Sequence, residues 1–141
     1  MIVDGKALAE ESKVELKATL RQAQGKKLRL AVVWVGDNTV SEKYVARKKK
    51  VGEEIGVDVV VHDLMGDISQ SDLEGEIEKL NNDERVNGII VQLPLSKQID
   101  EQKILNLVTP AKDVYALRNE ARVLSPTVGA IKEILNRNLV S

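Results

Sequence analysis

Three nearly continuous apolar runs limit what this chain can become: "LRLAVVWV" (Leu28–Val35), "VDVVVHDL" (Val57–Leu64) and "NGIIVQLPL" (Asn87–Leu95). They are rich in Val and Ile and do not alternate with polar residues, as expected of strands covered on both faces. Helical patterns lie around them. Gly5–Ala23 places Leu8, Val14, Leu16 and Leu20 at apolar positions, Ser41–Ile55 follows the first run, and Ser69–Asn81 offers Ser69 or Ser71 as an N-cap. Gln98–Val108 and Pro126–Asn136 read as two further helices. Strand and helix in alternation predict right-handed βαβ crossovers on a mostly parallel sheet. The expected architecture is an α/β three-layer sandwich with helices on both sheet faces, formed as a single domain over residues 1–141.

Composition removes several function classes. The 21 basic and 22 acidic residues nearly cancel, so the basic run Arg47–Lys50 is local, and a general nucleic-acid binder is not expected. Cysteine is absent, which rules out disulfides, thiol chemistry and cysteine-held metals. The single histidine, His62, sits in "VVVHDL" and reads as a structural residue, so no metal site is expected. Aromatic platforms for single-stranded nucleic acid are missing, since Trp34, Tyr44 and Tyr115 are the whole set. No apolar stretch approaches the roughly twenty residues that cross a bilayer. The opening "MIVDGKALAEESK" has no signal-type apolar core, so the expected location is cytoplasmic, without a membrane partner.

Two segments leave the carboxyl ends of predicted strands, where ligands of open parallel sheets bind. In "SEKYVARKKK", Tyr44 and Lys48 are one helical turn apart and share a face. The run reads either as a solvated helix face or as a lysine whose basicity is tuned beside a ring for acid–base work. In "VQLPL", Gln92 ends an apolar strand and needs partners for its amide, or a cavity to face, or an exit to solvent. The turn "VGDNTVS" is neither of the common glycine-rich phosphate loops.

Taken in order, "VDGKALAEE", "VVWVGDNTVSEKYVARKKKVGEEIGV", "EIEKLNNDERVNGIIVQLPLS" and "PAKDV" resemble the bifunctional methylenetetrahydrofolate dehydrogenase/methenyltetrahydrofolate cyclohydrolase family. The similarity covers the chain but only about half of the family's usual length; the C-terminal NAD(P)-binding Rossmann domain is not represented. The resemblance implies one-carbon tetrahydrofolate chemistry that interconverts methylene, methenyl and formyl forms. Dehydrogenase activity would come only with the missing nucleotide half. It implies a folate derivative as substrate, NAD(P) as cofactor of the full-length enzyme alone, and no metal. It also implies a homodimeric full-length enzyme whose contacts lie largely in the absent half, leaving this piece a monomer.

The resemblance also implies residue roles. Tyr44 would stack on the aminobenzoyl ring, and Lys48 would assist water attack on the methenyl bridge. Gln92 would hydrogen-bond Lys48 and help hold it near neutral. Val91, Leu93 and Pro94 would line the pocket, with Ser41 close to the lysine. The family pattern continues "P-x-K-D-V" with Asp-Gly, and its second aspartate grips the pterin. Here "KDVYAL" puts Tyr115 and Ala116 in those places, with Asp113 matching the first aspartate. An alternative is therefore a catalytically impaired folate-binding or partner-subunit relative.

Overall fold

The computed structural model describes residues 3–22 and 25–139. Three strands, β1 (Arg29–Val35), β2 (Asp58–Leu64) and β3 (Gly88–Val91), form one sheet in the order β2-β1-β3, parallel throughout. Val32 pairs with Val61 on one side and Ile90 on the other, and Ala31 pairs with Val60 and Ile89. The helices are α1 (Gly5–Gln22), α2 (Thr39–Ile55), α3 (Gln70–Asn82), α4 (Glu101–Leu107) and α5 (Pro126–Leu139). The helix expected over Gly5–Ala23 is present, though Ala23 lies outside the described residues. No helix among the described residues is long and apolar enough to cross a membrane.

Each strand feeds two cores because alternate side chains point to opposite faces. Ala31, Val33 and Val35 of β1 join Ile89 and Val91 of β3 against Leu73, Ile77 and Leu80 of α3 and Ile104 and Leu105 of α4. Val32, Val59 and Ile90 face the other way, against Val45 of α2. Both faces are thus covered, which is why these strands read as continuous apolar runs.

Boundaries moved where local chemistry outweighs hydrophobic period. Helix α2 begins at Thr39 instead of Ser41, because Asn38 caps it and accepts from the N–H groups of Val40 and Ser41, each at 3.0 Å. Ser69 caps α3 as expected. Helix α4 starts at Glu101, not Gln98: Asp100 is its N-cap, and the Gln98 amide donates to the carbonyls of Gly66 and Ile68. Strand β3 stops at Val91 instead of Leu95. Gln92 N–H still donates to Val33 O at 2.8 Å, but Pro94 follows a cis Leu93–Pro94 peptide and has no donor to continue the ladder.

The segment after α4 ties the layers together. Lys112 Nζ donates to the carbonyls of Leu80, Asn81 and Asp83, the open carbonyl end of α3. Asp113 forms a bridge beside Ile89 and extends the sheet edge by one residue.

Candidate functional site

Four turns of α2 carry Tyr44, Lys48, Val51 and Ile55, spaced so that all lie along one side of the helix. That side borders a cavity of about 520 Å³ whose other walls are Leu30, Val59 and Ile90 from the sheet, Val57 just before β2, and Tyr115 from the loop after α4. The helix lies close to the sheet at Gly52, where an added Cβ would fall 2.3 Å from Val59 Cγ2.

Lys48 is the half-buried member of the basic run, whereas Arg47, Lys49 and Lys50 are exposed. Its Nζ donates to Gln92 Oε1 at 2.9 Å. The opposite end of that amide is pinned: Gln92 Nε2 donates to Leu93 O at 3.0 Å, so the oxygen faces the lysine. Ser41 Oγ, 2 % exposed as a residue, donates to the same Leu93 carbonyl at 3.2 Å. Lys48 Nζ also stands over two rings, 5.9 Å from the centre of Tyr44 and 5.3 Å from that of Tyr115. Burial lowers the Lys48 pKa from the ordinary lysine value. The cause differs from the expectation placed on Gln92. An amide oxygen that accepts from an ammonium favours the charged form, so Gln92 orients the lysine while withdrawal from water weakens its hold on the proton.

The expected site residues divide into two groups. Ser41, Tyr44, Lys48, Gln92 and Tyr115 come together, with Leu93 contributing its carbonyl oxygen. Val91, Leu93 and Pro94 lie apart from the walls of the Lys48 cavity. Val91 is in the α3/α4 core and Leu93 packs against it, because the pleat turns both from Ile90's face. Pro94 is exposed and is not among the walls. Asp113, which matches the family's first aspartate, is 5 % exposed, and its carboxylate accepts from the N–H groups of Leu117 and Arg118. It holds the loop instead of facing the cavity. His62 lies within β2 opposite Val33, outside the site. Residues missed beforehand are Arg47, Val51, Ile55 and the outward face of the sheet. The period of α2 through Tyr44, Lys48, Val51 and Ile55 was the available signal. No group of three or more His, Cys, Asp or Glu that could hold a metal ion occurs among the described residues.

The fold and these contacts define an α/β domain with a cavity beside one oriented, partly dehydrated lysine. The profile of the family described as tetrahydrofolate dehydrogenase/cyclohydrolase, catalytic domain, matches residues 3–115, and the chain belongs to that family. It is 44% identical over 115 residues to the bifunctional protein FolD of Pelobacter propionicus, covering 80% of this chain and 41% of that protein. It is 46% identical over 116 residues to the FolD protein of Rickettsia bellii, again covering 80% of this chain and 41% of the relative. Among solved structures, the Campylobacter jejuni bifunctional enzyme FolD superimposes with a TM-score of 0.91 at 35% identity, covering 97% of this chain and 53% of that one. The Trypanosoma brucei dehydrogenase-cyclohydrolase, solved with NADP cofactor and an inhibitor, gives 0.88 at 28% identity, over 99% and 52% of the two chains. The chain therefore spans about half the length of the relatives it matches.

Proposed function

We propose that this chain supplies the folate-binding catalytic domain of a methylenetetrahydrofolate dehydrogenase/methenyltetrahydrofolate cyclohydrolase, and that its own residues carry the hydrolytic step. The observation behind the reading is the 2.9 Å contact that aims Lys48 Nζ from Gln92 into a largely apolar cavity. A flat aromatic substrate suits the Tyr44 ring, which is 56% exposed at the edge of that cavity. With the methenyl carbon near Nζ, neutral Lys48 takes a proton from an attacking water as the C–O bond forms. The resulting ammonium then returns that proton to the departing ring nitrogen as its C–N bond breaks, while the carbinol hydroxyl releases its own proton to solvent as the C=O bond forms, leaving the formyl product and an unchanged lysine. Gln92 keeps Nζ in place through both transfers.

Hydride transfer needs a nicotinamide nucleotide, for which NADP is the candidate on the strength of the Trypanosoma brucei relative. The residues around the turn after β1 do not fit a dinucleotide cradle. Gly36 stands alone there, and Asn38 Oδ1 already occupies the N–H groups of Val40 and Ser41 at the start of α2. Cytoplasmic location, the monomeric state and the absence of nucleic-acid or membrane partners belong to the same proposal.

The test is hydrolysis of methenyltetrahydrofolate, followed by loss of its absorbance, for the unmodified chain and for Lys48→Ala. A rate lower by at least about a hundredfold in the variant is expected. Equal rates would reject the assignment.

A further inference from the structure

Tyr115 has no part in the hydrolytic step above, yet its ring centre is nearer to Lys48 Nζ than that of Tyr44, at 5.3 Å against 5.9 Å. Three features hold this ring. It packs against the cluster of Val32, Val45, Val59 and Ile90. Ala116 turns the chain through φ 56° immediately after it. Asp113 then fastens the next turn through the N–H groups of Leu117 and Arg118. Among the described residues, the walls of the cavity around Lys48 offer it no counter-ion. The charged groups among its described walls are Arg47 and Lys48 itself, both from α2. Strands β1, β2 and β3 and the Val57 position contribute only apolar side chains, and the loop after α4 contributes Tyr115. Besides the uncharged Gln92 amide oxygen, what faces the ammonium is the pair of tyrosine rings, whose negative faces attract a cation.

We propose that Tyr115 is a positioning residue for Lys48: its ring, together with that of Tyr44, substitutes for a counter-ion and fixes Nζ beside Gln92. The interaction is with the ring face, so phenylalanine should serve as well as tyrosine and an aliphatic residue should not. The inference concerns the ligand-free chain and stands or falls independently of any hydrolytic activity.

The experiment is an NMR titration of the Lys48 side chain, isotopically labelled, in the unmodified chain, Tyr115→Phe and Tyr115→Leu. The Lys48 midpoint should fall by roughly half a unit in Tyr115→Leu, the scale of a cation–π contact, and stay in place in Tyr115→Phe. Midpoints unchanged in both variants would reduce Tyr115 to core packing. An equal fall in both would assign the effect to the hydroxyl, and either result overturns the proposal. If Tyr115→Leu does not fold, the unmodified chain and Tyr115→Phe decide: in both, the Lys48 ε-methylene protons should be shifted upfield by the ring that Nζ stands over. Ordinary solvent-like shifts for those protons would refute the contact.

Discussion

Lys48 Nζ and Gln92 Oε1 stand 2.9 Å apart across 44 residues of sequence, one on a helix and the other at the end of a strand. The contact exists because α2 returns over the sheet that β3 completes, and because Leu93 O pins the far end of the Gln92 amide. Removing each partner should therefore act differently. Lys48→Ala deletes the acid–base group and should lower methenyltetrahydrofolate hydrolysis at least about a hundredfold. Gln92→Leu leaves the amine but frees its direction, and should give an intermediate loss. Lys49→Ala and Lys50→Ala, on exposed positions of the same run, should match the unmodified chain. Rates for the four variants check this, and a large loss in either control would reject the division.

The pH dependence follows from the sign of the Lys48 shift. Burial places its folded pKa below the ordinary value of 10.5, so between the two the unfolded chain binds the extra proton. Stability tied to this residue must then rise with pH through that window. In denaturant titrations the unmodified chain should gain on Lys48→Met as pH moves from neutral toward 10.5. Hydrolysis should also accelerate over the lower part of the window as the amine loses its proton. A stability difference that is flat with pH would contradict the assignment to burial.

Two helical glycines should respond in opposite directions to the same change. A Cβ on Gly52 meets Val59 Cγ2 at 2.3 Å and Val57 O at 3.0 Å, so alanine must push α2 from the sheet. Such overpacking costs about 1–3 kcal/mol, against ~1 kcal/mol gained in helix propensity. Gly52→Ala should be destabilising on balance, and it should disturb the cavity wall beside Lys48. Gly75 in α3 has nothing within 4 Å of an added Cβ. Gly75→Ala should stabilise by about 0.5–1 kcal/mol. Urea midpoints for the two variants test the contrast.

The sheet was legible because Val and Ile fill both faces of each strand, and the helices because their apolar positions recur at helical spacing. Tyr44, Lys48 and Gln92 were legible as candidates from spacing and from the misfit of an amide at a strand end. What stayed hidden was direction. Nothing in "IIVQLPL" says that Ile90 faces α2 while Val91 faces α3, since both are apolar and the register depends on neighbouring strands. Likewise, Asp113 reads as an available carboxylate until the loop closes on it through Leu117 and Arg118.

Ala116 is the described non-glycine residue with positive φ, at 56°, and it occupies the place where the family pattern has glycine. For an L-residue the left-handed region costs about 1–2 kcal/mol, because Cβ crowds the following carbonyl. Glycine avoids that crowding but adds freedom to the unfolded chain, which returns part of the gain. Ala116→Gly should therefore stabilise the fold by about 0.5–1 kcal/mol. Ala116→Val, with a branched Cβ in the same conformation, should destabilise it by more than that. The loop also carries Tyr115, so Ala116→Val should move the ring and lower the Lys48 titration midpoint, whereas Ala116→Gly should leave that midpoint in place. Thermal unfolding with side-chain NMR of both variants checks the pair of effects. A destabilised Ala116→Gly would mean that the strain at this residue is smaller than the entropy it restrains.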